Sequence, residues 1–146
     1  MTENPGPVRV SSTRIGPPAG PYSPGIRVGD LLFVSGQGPF GPDGQRKGET
    51  FEDQAHAVFD NIAAIAEEAG TSLDHTVRIC GYLDDLDDFA AWNEVCAARL
   101  SEPYPVRTTV PVPLPGFAVE IDAILWVPAR SARDTPAQGL GNGEAE

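Results

Sequence analysis

The chain has 146 residues, of which 40% are hydrophobic and six are Phe, so it can build one modest core. It carries 10 Lys and Arg against 21 Asp and Glu, which gives a net charge of −11 at neutral pH. This negative charge disfavours binding to a nucleic acid backbone or to an anionic membrane surface. The net charge does not exclude binding of a small anionic substrate. The attraction of one buried arginine outweighs the repulsion from a distant and screened negative surface.

The two ends of the chain differ in composition from its centre. Residues 1–7 are polar and contain two prolines, and we expect them to be flexible. Residues 130–146 are rich in Gly, Ala, Pro and Glu and are predicted to be disordered, which leaves one ordered domain over residues 8–129. Because neither a signal peptide nor a bilayer-spanning run is evident, a cytoplasmic protein is expected. The spacing of Cys80 and Cys96 fits no metal or redox motif and predicts two buried or half-buried thiols.

The predicted elements begin with three strands. Val8–Arg14 alternates weakly between apolar and polar residues and is followed by a rigid loop over Gly16–Pro21. Gly25–Val28 and Asp30–Gly36 are the next two strands. The second contains four consecutive apolar residues, a pattern typical of a strand that is buried on both faces.

The clearest helix is predicted over Phe51–Ala69, where apolar residues recur at helical spacing. Thr50 is a natural N-cap, with Asp53 three residues further on. Acidic residues in the first turn also interact favourably with the helix dipole. Gly70 follows the helix as a plausible C′ residue.

The second half of the chain predicts a strand over Thr76–Leu83, a helix over Leu86–Leu100 and strands over Arg107–Val112 and Ala118–Val127. The apolar stripe of that helix comprises Phe89, Trp92, Val95, Cys96 and Leu100. This order of elements predicts an α+β fold, in which a single sheet carries two helices on one face. The other sheet face then needs cover, which another copy of the chain is expected to provide.

Several kinds of site are not supported by the sequence. Neither a P-loop nor a dinucleotide-binding glycine motif is present, so no nucleotide cofactor is predicted. His56 and His75 lack the spacing of metal ligands, and the acidic run over Asp84–Asp88 lacks the spacing of a calcium loop, so no metal is predicted. Ser35 has no base visible in the sequence that would complete a catalytic triad.

Two charged residues in the last strands are candidates for chemistry. Arg107 begins a strand, and its planar guanidinium can bind a carboxylate through two hydrogen bonds. Glu120 lies between Val119 and Ile121, where it either faces water or acts beside apolar residues as a proton acceptor. From the residues alone, an exposed position or a structural ion pair is the commoner explanation for both, because structural ion pairs are common.

A family resemblance bears on this choice. In chain order stand the motifs Pro21-Tyr-Ser-Pro-Gly25, Phe33-Val-Ser-Gly-Gln37, Asn61-Ile62, Phe89-Ala-Ala-Trp-Asn-Glu94, Pro105-Val-Arg-Thr-Thr-Val110 and Val119-Glu-Ile-Asp-Ala123. Over about residues 20–127 the chain resembles the RidA family. The resemblance implies a bacterial chorismate-mutase-like α+β fold and a homotrimer with three clefts between subunits. It also implies hydrolytic deamination of reactive enamines and imines, such as 2-aminoacrylate, to 2-keto acids and ammonia.

The same resemblance implies roles for the two charged residues. Arg107 would hold the carboxylate of the imino acid or 2-keto acid, and Glu120 would position or activate the water that attacks the imine carbon. Because an imine carbon is already electrophilic, this chemistry requires orientation and proton transfer but no metal or other cofactor.

Five further residues are carried over from the motifs as substrate-binding residues. Tyr22 would close the cleft across the interface, and Gly36 would allow close approach of the backbone. Ser35 and Asn93 would be supporting polar groups. Thr109 occupies a position near the cleft where many relatives have Cys, which argues against thiol chemistry.

Two alternatives remain at this stage. A pathway-specific enzyme of the same fold would act on a larger enamine or imine, as the proline-rich Pro111–Phe117 loop and Thr109 suggest. A non-catalytic protein would bind carboxylates in the same clefts without turning them over. Activity on RNA is the least attractive reading because of the charge of −11.

Overall fold

In the computed structural model, which describes residues 5–129, six strands form one sheet that carries two helices. The elements are β1 (Val8–Val10), β2 (Gly25–Val28), β3 (Leu31–Gln37), α1 (Phe51–Glu68), β4 (Thr76–Leu83), α2 (Phe89–Arg99), β5 (Val106–Pro111) and β6 (Val119–Trp126). The segment predicted to be disordered, 130–146, lies outside the described residues, as do residues 1–4. The predicted α+β class is confirmed.

The sheet is mixed, and its strand order is β1-β2-β3-β6-β4-β5. Every neighbouring pair is antiparallel except β4 and β5, which run parallel and are joined through α2. Parallel neighbours need such a crossover, because a short hairpin can join only antiparallel strands. This connection places β5 at the edge of the sheet, next to α2.

The caps of helix α1 agree with the sequence-based expectation. The Thr50 hydroxyl accepts a hydrogen bond from the backbone N–H of Asp53 at 3.2 Å, which satisfies one orphan donor of the first turn. At the other end, Gly70 adopts a φ of +81° and Thr71 N–H donates to Ala66 O at 3.0 Å. This is a Schellman arrangement, in which a residue without Cβ reverses the chain at low cost.

The core lies between the sheet and the two helices. Trp92 of α2 is fully buried and stacks on Phe59 of α1, with 6.1 Å between the ring centroids. The indole also lies directly over Gly81 of β4, where an added Cβ would stand 2.5 Å from Trp92 Cζ2. Glycine is therefore required at this point of the sheet, because any side chain would push α2 away from it.

Two predicted boundaries are wrong by three residues or more. The first strand was expected over Val8–Arg14 but ends at Val10, and the Ser12 hydroxyl accepts a hydrogen bond from Arg14 N–H in the turn that follows. The helix expected over Leu86–Leu100 begins only at Phe89. A short 3₁₀ turn precedes it, because the Asp85 carboxylate caps Asp87 N–H at 2.8 Å.

The sheet face opposite the helices is uncovered within one chain. On β3, Leu32 is buried, whereas Leu31 and Phe33 are 39% and 43% exposed, so the expectation of burial on both faces fails for a single chain. Trp126 of β6, on the same uncovered face, is 46% exposed. Contiguous apolar surface of this kind marks an interaction surface in monomeric structures.

Within residues 5–129, no helix is long and apolar enough to cross a membrane.

Candidate functional site

Arg107 lies near the start of the edge strand β5, with its guanidinium above two aromatic rings of α2. The guanidinium carbon lies 5.6 Å from the ring centroids of both Phe89 and Trp92, a cation–π geometry. Arg107 Nη2 donates a hydrogen bond to Asn93 Oδ1 at 2.8 Å. Among residues 5–129, no carboxylate forms an ion pair with Arg107. The guanidinium is therefore oriented by neutral groups, and its charge is available to an incoming anion.

Phe89 has a different role from the one its spacing predicted. It was assigned to the buried stripe of the second helix, but it is 43% exposed. As the first residue of α2, it lies under the guanidinium of Arg107 instead of in the core. This supporting position could not be read from helical periodicity, because it depends on where β5 lies relative to the helix.

A cleft of about 290 Å³ adjoins Arg107. Its floor contains Ile79 and Leu100, which are almost fully buried, and Tyr104 forms an exposed wall. The complete lining is Ile79, Asn93, Cys96, Ala97, Leu100, Tyr104, Pro105 and Arg107. A positive charge thus stands at the side of a largely apolar depression.

Thr109, which we predicted to bind substrate, has a hydrogen bond to the core. Its Oγ1 accepts a hydrogen bond from Trp92 Nε1 at 2.8 Å. Trp92 is fully buried, so the indole N–H has no water to replace this partner. Thr109 therefore stabilises the aromatic residue beneath Arg107, and its substrate contact remains a prediction.

Replacing Thr109 by Val should lower the free energy of unfolding by about 1–3 kcal/mol, because a buried donor loses its acceptor. Urea unfolding of both proteins at one fixed protein concentration measures the change. Thr109→Ser is the matched control, since it keeps the hydroxyl and should lose much less. Equal losses for the Val and Ser variants would show that packing of the methyl group, and not the hydrogen bond, is responsible.

Cys96 does not have the character of a catalytic nucleophile. Burial raises the pKa of Cys96 to about 11, although the nearby Arg107 acts in the opposite direction. The thiol is therefore protonated at neutral pH and weakly nucleophilic. Cys80 is half-buried and accepts a hydrogen bond from Arg78 Nη2 at 3.0 Å. Both residues are free thiols, as the spacing predicted.

Glu120 lies on β6 and faces away from the helices. Its neighbours Val119 and Ile121 are fully buried on the helix side, so strand alternation directs Glu120 to the open face. Its carboxylate lies against Gly36 of β3, where a Cβ would overlap Glu120 Oε1. Burial raises the pKa of Glu120, and repulsion by Asp122 raises it further. A carboxylate with a raised pKa is a better proton acceptor.

Asp122 and Tyr82 are neighbours of Glu120 that were not predicted as site residues. The Tyr82 hydroxyl donates a hydrogen bond to Asp122 Oδ2 at 2.9 Å. This bond, followed by burial, raises the pKa of Tyr82 to about 12, so the phenol stays protonated. The spacing of two acidic residues at i and i+2 on a strand was the available signal, because such residues share one face.

Tyr22 and Ser35 are brought together with Gly36 at the end of β3. The backbone N–H and the hydroxyl of Ser35 both donate to Pro24 O, at 2.9 and 3.1 Å, and hold the Tyr22 loop against the strand. The Tyr22 hydroxyl accepts a hydrogen bond from Ala19 N–H at 3.0 Å, and the side chain is 51% exposed. Tyr22 and Gly36 line one cleft of about 330 Å³.

Asn61 fixes the loop that follows Gly36. Its side-chain Nδ2 donates to the carbonyl oxygens of Gly38 and Phe40, at 3.0 and 2.9 Å. Phe40 also packs edge-on against Phe117, with 5.3 Å between the ring centroids. From the sequence, Asn61 was recognised only as part of a family motif. The structure shows that its contribution is to position this loop from the buried face of α1.

The chain is similar to known proteins over most of its length. Residues 13–127 match the family model described as Endoribonuclease L-PSP. The chain belongs to this family, the RidA family. A RutC family protein of Pyrococcus abyssi is 43% identical over 75% of this chain and 88% of its own length. A protein of Dermatophagoides farinae named 2-iminobutanoate/2-iminopropanoate deaminase is 34% identical over 83% of this chain and 98% of its own.

Solved RidA-family structures share the fold. The crystal structure of RidA from the Antarctic bacterium Psychrobacter is 42% identical in sequence and superposes with a TM-score of 0.77. The match covers 82% of this chain and 99% of the Psychrobacter protein. The resemblance to the RidA family that the motifs indicated is confirmed, as is the single sheet with two helices.

In this RidA-family chain, the predicted site residues form two separate groups. Arg107 and Thr109 share hydrogen bonds with Asn93 and Trp92 of α2, on the helix side of the sheet. Glu120 and Gly36 contact each other on the opposite side, at the end of β3. A small ligand cannot reach both groups of a single chain, because the sheet lies between them.

The two histidines have structural neighbours. Arg99 Nη1 lies 3.2 Å from His56 Nδ1 and donates to His56 O at 3.1 Å. The His75 ring packs edge-on against Trp126, with 5.3 Å between the centroids. In the part of the chain that the structure describes, no group of three or more His, Cys, Asp or Glu is arranged to hold a metal ion.

Proposed function

We propose that this protein hydrolyses 2-imino acids, and the enamines that tautomerise to them, to 2-keto acids and ammonia. Water adds to the imine carbon and forms a carbinolamine. The carbon–nitrogen bond then breaks, ammonia leaves, and the former water oxygen becomes the keto oxygen. The family name of the Dermatophagoides relative supports this reaction class. The observation that carries the proposal is an arginine held by Asn93 without a carboxylate partner among residues 5–129.

Arg107 holds the substrate in this proposal. Its fork binds the carboxylate through two charge-assisted hydrogen bonds while Asn93 and the two rings keep the guanidinium plane in place. Fixing the carboxylate also fixes the adjacent imine carbon relative to the attacking water. Such positioning converts a bimolecular attack into an effectively intramolecular one.

Glu120 is the proton acceptor in this proposal. It takes a proton from the attacking water and returns it to the departing nitrogen, which must leave as ammonia. Burial beside Gly36 and repulsion by Asp122 raise the pKa of Glu120 and so strengthen it as a base. Tyr82 keeps Asp122 in place through its hydrogen bond. No step requires a thiol or a metal.

A homotrimer is part of the proposal, because each site takes Arg107 from one chain and Glu120 from the next. The number of three chains comes from the family resemblance, and two observations support association of copies. The two groups lie on opposite sides of the sheet, so head-to-tail contacts between copies would bring them together, and a closed ring satisfies every such contact. The open sheet face also exposes Phe33 and Trp126, at 43% and 46%, which association would bury.

A coupled deamination assay tests the function. An amino-acid oxidase generates the imine in place, and semicarbazide captures the imine that has not yet been hydrolysed. With the protein present, less semicarbazone and more free keto acid should form at the same rate of amino-acid oxidation. Tight binding of a 2-keto acid without any acceleration by a folded protein would instead establish a carboxylate-binding protein.

An endoribonuclease function, as the family description names it, is not favoured. The chain has 10 basic against 21 acidic residues, whereas binding to a phosphate backbone depends on neutralisation by Lys and Arg. Salt-dependent binding of RNA would contradict this view.

The pH dependence of turnover should report the pair Glu120 and Asp122. Glu120 acts in its deprotonated form, so kcat/KM should rise with pH through the raised pKa of this carboxyl. Asp122→Asn removes the repulsion that raises this pKa, so the acid limb should move to lower pH. Asp87→Asn, an exposed residue of the 3₁₀ turn, makes the same change in net charge and should leave the limb in place. If the acid limb of kcat/KM lies at the same pH in all three proteins, Asp122 does not raise the pKa of Glu120.

A further inference from the structure

The cleft beside Arg107 is larger than a small imino acid requires. Its volume is about 290 Å³. A cavity of about 150 Å³ lined by aliphatic side chains already accommodates a benzene ring. A carboxylate on Arg107 with a methyl or methylene substituent, as in 2-iminopropanoate or 2-aminoacrylate, leaves most of this volume to water.

The walls of the cleft are suited to an apolar group. Ile79 and Leu100 form an apolar floor that is 1% and 7% exposed. Ala97 is exposed on α2 and Tyr104 is 54% exposed, so both border the opening. Arg107 supplies the one charge of this lining. Ligand sites commonly combine an apolar cavity with one or a few polar groups that fix orientation.

We infer that this cleft is a side-chain subsite, and that the preferred substrates are 2-imino acids with a branched aliphatic or aromatic side chain. The inference rests on the proposed function, since it extends from the carboxylate that Arg107 holds. The side chain enters between Ala97 and Tyr104 and displaces water from above Leu100. Burial of each additional methylene group in such a pocket favours binding, so the preference for large substrates is cumulative.

Competing imines test the preference of the wild-type protein. Amino-acid oxidases generate the imines of leucine, phenylalanine and alanine, and the coupled assay gives kcat/KM for each. We expect the leucine and phenylalanine imines to react at least about tenfold better than the alanine imine. Equal values for the three imines, or a preference for the smallest, would overturn the inference while leaving the deaminase function intact.

Ala97→Phe places a ring in the mouth of the cleft. It should lower kcat/KM for the leucine and phenylalanine imines by about tenfold, and that for the alanine imine by much less. Ala98→Phe is the matched control, because Ala98 is also exposed on α2 but is not part of the cleft lining. A uniform loss with all substrates, or no change with any, would contradict the subsite.

Two further readouts separate this inference from its alternatives. Size-exclusion chromatography of Ala97→Phe should match the wild type, whereas dissociation would show that another chain occupies the cleft. Calorimetric titration with 4-methyl-2-oxopentanoate and with pyruvate tests the subsite without turnover. Tighter binding of the larger keto acid, lost in Ala97→Phe, supports the subsite even if no imine is hydrolysed. Indistinguishable affinities would refute it.

Discussion

Arg107→Ala should reduce kcat/KM for imine hydrolysis by about 10²–10⁴-fold. The fork makes two hydrogen bonds to the substrate carboxylate, and charge-assisted bonds contribute about 1.5–3 kcal/mol each, with a tenfold change in rate for every 1.36 kcal/mol. Arg107→Lys keeps the charge but loses the fork and the planar contact with the rings, so it should recover only part of the activity. The coupled assay measures both variants under identical conditions.

Arg14→Ala is the control for loss of a positive charge. Arg14 pairs with Glu67 at the surface, with both side chains more than half exposed, and exposed pairs contribute little to stability. This variant should fold and turn over as the wild type does. Full activity of Arg107→Ala, in a protein with an unchanged unfolding midpoint, would remove Arg107 from the site.

Glu120→Gln should also lower kcat by about 10²–10⁴-fold, the range expected for loss of a general base. Although this substitution lowers the activity, it should not lower the free energy of unfolding at neutral pH. Because the pKa of Glu120 is raised in the folded state, the wild type loses stability as the pH rises above the ordinary range of a glutamate. The neutral glutamine avoids this loss, so the variant should be at least as stable at pH 7. Denaturant unfolding at pH 4 and at pH 7 checks this expectation.

A mixture of the two inactive variants tests whether each site spans two chains. Arg107→Ala contributes an intact Glu120, and Glu120→Gln contributes an intact Arg107. In randomly assembled trimers from co-expressed chains, about a quarter of the interfaces combine the two intact residues, and a similar fraction of wild-type activity should return. If the mixture stays as inactive as the separate variants, Arg107 and Glu120 do not act across one interface.

Local residue patterns accounted for the order of the elements. Helix α1 was predictable because Thr50 and Gly70 act on the backbone within a few residues of themselves. Strand β4 was predicted with both its ends correct. The errors occurred where side chains intervene locally, as at Asp85, whose carboxylate forms the 3₁₀ turn before α2. Periodicity could not detect this competition, because it averages over several residues.

The site was predicted less completely than the fold. Family motifs pointed to Arg107 and Glu120, but residue spacing contains no information about which side of the sheet each occupies relative to the other. The pairing of β5 with β4, and of β4 with β6, decides this. It also decides that Trp92, placed on the core stripe by its spacing, lies beneath the guanidinium. Tyr82 and Asp122 meet for the same reason, since 40 residues separate them in the chain.

The sequence by itself determined the negative charge, the α+β class, the ends of α1 and membership of the RidA family. These depend on composition, on contacts within a turn or on motif order, all of which are local or additive quantities. The tertiary structure alone decided that Arg107 has no carboxylate partner among residues 5–129, that an apolar cleft adjoins it and that Glu120 lies on the other side of the sheet. Those features depend on long-range strand pairing, because residues distant in the chain become neighbours only when the sheet forms.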